Sequence, residues 1–553
     1  MPPNVEPWCT HRVFNQTPPR EGLNEYTLNK PLLEAVVRYG GAAHEIALQA
    51  AGATVGTEEF RLWAAQANAH PPVLQSHDRH GYRCDEIEFH PAYHAIMRSA
   101  VEAGAHAGIW RDPGAGVQVA QTAKFLLYCQ VETGHGCPTS MTYAAVPALR
   151  QTPELATRWE DRLTSLTYDP RTVAAHRKPG VLAGMAMTEK QGGSDVRANT
   201  TRAVAVGAGG PGADYLLTGH KWFCSAPMSD LFLLLAQTEK GISCFLAPRL
   251  DEAGALNGML LQGLKNKLGN RSNASAELEL HQTRAWMVGE PGRGISTIIE
   301  MVSHTRLACL AMSTAGLREC VTEAVWHAAH RSAFGRPLRA HPLMGNVLAD
   351  LCIESEAATA LTMRLAHAYE ADADEHECLF RRFAMPIAKY WVCKRGPAHA
   401  AEALECLGGN GYVETFSLAR RYREQALMSV WEGAGNVMCL DLLRAIDREP
   451  DTRDAFFAEL RRATGADQRL DRYVAALEDD IAKPDQREWR ARTLAERCAK
   501  ALQAALLVRY APAPVADAFC AGRLADNRGD AYGTLPLGVD AAAVLARHSP
   551  ETH

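Results

Sequence analysis

No GxGxxG follows a strand pattern anywhere in these 553 residues, and no βαβ alternation surrounds one. A dinucleotide-binding Rossmann domain is therefore excluded. No apolar run approaches the ~20 residues that span a bilayer. "MPPNVEPWCTH" has no basic segment followed by an apolar one, so no secretory leader is expected. The 15 cysteines show no repeated CxxC and no Cys/His ligand spacing. Most sit in apolar runs such as "RLACLAM" and "VMCLDLL", which predicts buried free thiols in a reducing, cytoplasmic setting. The formal net charge of -5 gives no general attraction to nucleic acid or anionic lipid. His90 and His94 stand four apart in "HPAYH", but without a third ligand or an HExxH pattern no metal site is expected. There is no internal repeat and no low-complexity tract.

What is present is an ordinary globular mixture, 47% hydrophobic and 22% charged. The length sets a prior of three or four domains. After an extended, turn-rich start, apolar residues recur at threes and fours to about Lys178, with a polar connection and short strands near residues 70–90. Near Gly180 the segments shorten and become β-like: "NTTRAVAVG", "ADYLLTGHKWFCSA", "DLFLLLAQT", "GISCFLAP" and "SAELELHQ". Long helical patterns return after "VGEPGRG". One of them contains Pro386, which marks either a bend or a start. Asn436 is the expected N-cap of a fourth helix. The last region is helical and loosens after Pro512. The predicted domains are 1–180, an N-terminal extension and helical domain; 181–290, a β-barrel; 291–440, a four-helix-bundle-like domain; and 441–553, a C-terminal helical domain.

Three short stretches carry chemistry. "MAMTEKQGGSDVRAN" ends in a tight turn, Gly192–Asp195, able to aim backbone N–H groups at a phosphate, with Thr188 and Ser194 as added hydroxyls. Read alone, it is equally a connector in which Asp195 bonds its own backbone. "LLTGHKWFCSAPMSD" places Phe223 and Ser225 on one face of a strand, a ring and a hydroxyl suited to a flat heteroaromatic cofactor, with Trp222 turned into packing. A core aromatic and an ordinary strand serine fit that pattern equally. "WEGAGN" sets Glu432 beside a large ring in a turn of small residues, as a base or as a solvated loop carboxylate.

Taken together and in order, these stretches resemble the acyl-CoA dehydrogenase family of flavoproteins, and within it the AidB-type, alkylation-response branch. "RSAFGRPL" with "LECLGGNGYVE" is similar to the family's paired adenosine-diphosphate motifs, and "RYREQALMSVWEGAGN" to its catalytic turn. "RVFNQTPP" and the tail after residue 440 resemble the AidB-type branch. The resemblance implies a mainly α fold with an interposed β-barrel, the acyl-CoA dehydrogenase-like fold, plus a C-terminal helical extension. It implies FAD as cofactor, with the ring against Met187, Thr188, Phe223 and Ser225, and Gly193 and Ser194 near the pyrophosphate. The adenine half is expected across a protomer boundary, from Arg331 and Phe334 of one protomer and Gly408, Gly409 and Gly411 of another, in a homotetramer. Asn436 is grouped with these cofactor contacts. Glu405 stands where the family has glutamine, and Trp431 where it commonly has tyrosine. The resemblance also implies Glu432 as the base that takes the α proton of an acyl-CoA while the β hydride goes to flavin N5. Some relatives take their base from the long helix, before an arginine matching Arg306. Here that residue is Thr305, which cannot serve.

Relatives of this branch are associated with double-stranded DNA. The tail carries 17 Lys+Arg against 19 Asp+Glu, a net of -2, which is not a basic domain. Arg461, Arg462, Arg487, Arg490 and Arg497 are the candidate phosphate contacts, and a solvated helix face is the plainer reading of that run. Three functions stand at this level: a working dehydrogenase, a flavin-containing DNA-binding or DNA-protective protein, and a structural flavoprotein scaffold.

Overall fold

A computed structural model describes residues 10–525 and 529–549; residues 1–9, with the leader reading and Cys9, lie outside it. The N-terminal third folds as α1 (Lys30–Arg38), α2 (Glu45–Val55), α3 (Glu58–Ala69), a hairpin of β1 (Val73–His77) and β2 (Arg83–Glu88), then α4 (Pro91–Glu102), α5 (Gly108–Arg111), α6 (Val117–Val131), α7 (Gly136–Leu149) and α8 (Pro153–Leu163). Helices α6 and α7 are buried on all sides along nearly their whole length, with Gln, Thr and Ser among the apolar residues. Such helices need cover on every face, and the barrel and a later helix bundle supply it.

The sheet comprises β3 (Ala183–Ala186), β4 (Arg202–Ala205), β5 (Asp214–Ser225), β6 (Leu231–Thr238), β7 (Gly241–Pro248), β8 (Met259–Leu264) and β9 (Ser275–Val288). Strands β4, β5, β9, β7 and β6 close into a ring, and β8 adds to the free side of β9. Closure leaves those five strands without a free edge. Sequence periodicity missed β3 and β8, which are short and apolar without alternation. The β5–β9 register shifts between Lys221 and Cys224, so strict alternation fails there. Trp222 consequently does not enter the barrel core. It lies half-buried with the Lys265 Nζ 3.3 Å above its ring, a cation–π contact.

Helix α9 (Gly294–His330) runs 37 residues, about 55 Å at the standard rise. It packs with α10 (Pro342–His367), α11 (Glu375–Cys406) and α12 (Ser417–Met428), and α13 (Gly435–Arg448) packs on α11. Pro386 and Pro397 both lie inside α11, which starts earlier, where Asp374 caps the Glu377 N–H. Helix α13 begins at Gly435 with Ala434 as its N-cap, so Asn436 is not the cap; its side chain instead accepts from Arg492 Nε at 2.9 Å.

Helices α14 (Pro450–Arg461), α15 (Gln468–Ala482), α16 (Ala491–Tyr510), α17 (Ala513–Arg523) and α18 (Ala541–His548) follow. They are not a separate body: one continuous apolar cluster runs from Leu307 to Val544. Phe383 stacks on Phe456 at 4.5 Å, and Trp391 Nε1 donates to Gln503. The chain does not loosen after Pro512. Pro512 sits at the start of α17, where a missing N–H costs nothing. Arg523 is then buried between Asp350 and Glu354 on α10. Among the described residues all cysteines are free, and all but Cys84 and Cys378 are buried. No described helix is long and apolar enough to cross a membrane.

Candidate functional site

A cavity of about 770 Å³ opens where the barrel, α7, α9 and the α12–α13 turn meet. This is within the usual size of a small-molecule or cofactor site. The barrel side presents Met187, Thr188, Gly193, Ser194, Phe223 and Ser225. Opposite in the chain, Trp431, Glu432 and Gly433 line the same space. Helix α9 adds an apolar wall that includes Ile298, Val302 and Cys309.

The glycine turn is fixed from behind by Glu189. Its carboxylate has no exposed surface and accepts from the N–H and hydroxyl groups of Thr200 and Thr201 and from Lys221 Nζ at 2.9 Å. Burial alone would raise this carboxyl, but those donors outweigh burial and hold it well below the usual carboxylate range. Thr188 and Ser194 are thereby presented to the cavity, and their hydroxyls have no partner among the described residues. Phe223 is 48% exposed despite its strand position. Lys265 Nζ stands 4.8 Å from the Phe223 ring centroid, and a cavity of this volume, with unpaired hydroxyls and a half-exposed ring on a rigid strand, fits a flat, acceptor-rich ring.

Glu432 has φ +55° and Gly433 φ +101°. A Cβ at 433 would meet Met438 Cε at 2.6 Å, so the turn requires glycine there. Glu432 is half-buried and lines the cavity. Burial pushes it up from the usual range; the Thr305 hydroxyl, donating to Oε2 at 2.7 Å, and the charges of Lys389 and Arg306 pull the other way. The net rise gives this carboxyl a higher proton affinity than a free carboxylate has. Thr305, which the long helix offers in place of an acid, is thus a direct partner of the acid on the turn. Arg306 Nε donates to the Glu432 carbonyl at 3.1 Å and is itself held by Asp441 at 2.8 Å.

One cavity group escaped sequence reading. Lys267 is largely buried in the wall, and burial lowers its ammonium to about 8. It donates to the Asn273 carbonyl and to Ser275 Oγ, and no carboxylate among the described residues pairs with it. Cys137 in "GHGCPTS", which the sequence alone reads as a packed turn cysteine, lies in α7, and burial pushes its thiol up to about 11, which makes it inert as a nucleophile. The polar run "KNKLGNRSN" gave no periodic signal that would have placed Lys267 inside.

The remaining predicted residues lie outside the cavity. Arg331 caps the end of α9 and donates to the Asn15 carbonyl at 2.6 Å, so the N-terminal extension runs against it. Phe334 is 97% exposed. Gly408 and Gly409 border open space, whereas Gly411 is tucked against the Leu404 carbonyl. Glu405 is exposed. Asn436 lines a smaller pocket of about 300 Å³ with Lys394 and Arg492. The tail arginines are engaged within the chain: Arg461 with Glu478, Arg462 with Glu459, Arg487 with Asp447, Arg497 with Asp480, and Arg490 with the carbonyls of Asp480, Lys483 and Asp485. His90 caps α4 and His94 bonds Tyr168; no cluster of three metal-ligating side chains occurs among the described residues.

Comparison with known proteins gives three family models. Residues 15–170 match the adaptive response protein AidB N-terminal domain, 184–283 the acyl-CoA dehydrogenase middle domain and 292–446 the acyl-CoA dehydrogenase C-terminal domain. AidB of Escherichia coli (strain K12) is 42% identical over 524 residues, 94% of this chain and 96% of that protein. Acyl-CoA dehydrogenase family member 11 of Caenorhabditis elegans is 30% identical over 77% of this chain and 71% of that protein. The crystal structure of Caenorhabditis elegans ACDH-11 in complex with C11-CoA matches with a TM-score of 0.83 at 26% identity, covering 93% of this chain and 94% of that one.

Proposed function

The chain belongs to the acyl-CoA dehydrogenase family, in its AidB-type branch, and on that footing we propose that it desaturates an acyl-CoA thioester with Glu432 as the base. The family fold implies FAD, and the barrel face of the cavity fits its ring as described above. Met187, Thr188, Phe223 and Ser225 would hold the ring, and Gly193 and Ser194 the pyrophosphate. Bound flavin supplies the hydride acceptor.

The observation that carries this reading is the placement of a carboxyl with raised proton affinity on the same cavity as the hydroxyls and ring of the barrel. Glu432 takes the α proton. Thr305 keeps the carboxyl in one rotamer and favours its ionised form before transfer. The apolar wall of α9 excludes water from the proton's path. The Glu432 backbone N–H serves the thioester carbonyl as an oxyanion donor. Arg331 and Phe334 of one protomer would meet the 408–411 turn of another to form the adenine site in a homotetramer, which accounts for a phenylalanine left open on the single chain.

Anaerobic mixing with a panel of acyl-CoAs tests this. The wild-type protein is expected to lose its oxidised flavin absorbance with at least one of them. Glu432→Gln is expected to retain flavin and to react about 10²–10⁴-fold more slowly, the usual contribution of a general base. Equal rates in the two proteins would overturn the assignment.

A further inference from the structure

Lys389 is a buried lysine with no carboxylate partner. It stands in α11, inside the otherwise apolar run "MPIAKYWV", and is 1% exposed. Its Nζ donates to the Trp431 carbonyl at 2.5 Å and to the Gly433 carbonyl at 2.6 Å. No ion pair links it to an acid among the described residues; the thiols of Cys309 and Cys393 are among its neighbours. Burying an ammonium costs several kcal/mol unless something in the structure uses it, and two peptide carbonyls are a weaker set of partners than one carboxylate. Those two carbonyls flank the residue assigned as the base.

The peptide geometry gives the clamp a direction. The described residues have no cis peptide bonds, and in a trans peptide the C=O of one residue points opposite to the N–H of the next. With the Trp431 carbonyl drawn to Lys389, the Glu432 N–H is turned away from α11, to the side where Trp431, Glu432 and Gly433 line the cavity. That N–H has no acceptor among the described residues. Arg306, donating to the Glu432 carbonyl, fixes the next peptide plane in the same way. The left-handed φ of Glu432 is thus maintained by cations on three successive carbonyls, 431, 432 and 433.

We propose that Lys389 is a positioning residue that aims and strengthens the Glu432 N–H as a hydrogen-bond donor to a ligand carbonyl in the cavity. An ammonium on an amide oxygen draws density from that amide and makes its N–H a better donor, the cooperative effect of a hydrogen-bond chain in a low-dielectric interior. The chain here runs from Lys389 Nζ through the 431–432 peptide to the ligand oxygen. This inference rests on the acyl-thioester reading above and adds to it the residue that tunes its oxyanion site.

The test reads carbonyl polarisation directly. The holoprotein is prepared as Glu432→Gln, so that bound ligand does not react, and is loaded with [1-¹³C]butyryl-CoA or [1-¹³C]octanoyl-CoA. The thioester C=O stretch is measured by isotope-edited infrared difference spectroscopy. With Lys389 present, the stretch is expected to fall below that of the free ligand. In Lys389→Met the fall is expected to be at least halved, with flavin content and the thermal midpoint recorded alongside. Should Lys389→Met not fold, Lys389→Gln, which retains one donor but no charge, takes its place with the same expectation. An equal fall with and without the lysine overturns the role given to Lys389 and leaves the thioester reading standing. No fall with either ligand while Lys389 is present overturns both.

Discussion

Replacing Glu189 by glutamine is expected to loosen the glycine turn that presents Thr188 and Ser194, without touching the cavity itself. The carboxylate accepts from Thr200 N at 2.6 Å, Thr201 N at 3.1 Å, Thr201 Oγ1 at 2.6 Å and Lys221 Nζ at 2.9 Å, and both charged side chains have no exposed surface. Glutamine keeps one acceptor oxygen but turns an amide NH₂ toward donors already in place, and it leaves Lys221 with only the Leu235 carbonyl. Breaking a buried pair by removing one partner costs about 3–5 kcal/mol. Because several domains unfold in one chain, a single global stability is not defined, so the readout must be local. A loss of about 4 kcal/mol speeds hydrogen exchange in residues 186–225 roughly a thousandfold, and the turn releases flavin. The pH dependence has a definite sign. The folded carboxyl titrates below its unfolded value, so its contribution is complete above pH ~4.3 and fades as pH falls through the folded value. The gap between the two proteins should therefore be constant near neutrality and narrow in acid. Exchange rates in 186–225 within tenfold of each other at pH 7, with normal flavin retention, would refute the reasoning.

Thr305→Val removes the donor to Glu432 while keeping side-chain shape; the carboxyl rises further, and the acid limb of the pH–rate profile moves to higher pH. A charge-assisted bond open to the cavity contributes about 1.5 kcal/mol, so the ionised fraction below that limb should drop about tenfold, as read from anaerobic flavin reduction across pH. Lys267→Met should stabilise the β8–β9 region around it at pH 7 by on the order of 2 kcal/mol, the penalty of a buried ammonium less its lost hydrogen bonds, read as slower local hydrogen exchange. Since burial puts the folded ammonium at about 8 against 10.5 unfolded, that advantage is full below pH 8 and vanishes as pH climbs past 10.5. Arg523→Met strands Asp350 as a buried carboxylate and leaves Glu354 to Arg395 alone; α17 should detach at a cost of about 3–5 kcal/mol, seen as rapid proteolysis after residue 510 in a protein whose residues 10–450 still resist.

The legible part of the molecule was its motif order and its long helices. "MTEKQGGSD", "GHKWFCSA" and "WEGAGN" place their residues on one cavity because each is a turn or strand end whose glycines and small polar residues dictate local geometry without help from distant packing. Helix α9 was readable because 37 residues without a proline or a turn cluster leave little alternative to a helix. Trp222 was misread because a bulge, set by the pairing with β9, breaks the two-residue alternation. The Asn436 cap was misread because the turn before α13 is held by Lys389 and Arg306 from other helices, which starts the helix earlier. The looseness after Pro512 was misread because Arg523 and His548 find their partners on α9 and α10, far away in the chain.

The sequence by itself determined the family, the helical and β segments and the identity of the acid at 432, since these follow from local spacing and residue chemistry. Tertiary structure decided the environment of that acid. Thr305, Arg306 and Lys389 reach it from α9 and α11 across 43 to 127 positions of chain, and burial by those same helices raises its proton affinity. Desolvation and hydrogen-bond direction are properties of assembled walls, so no local stretch of residues encodes them.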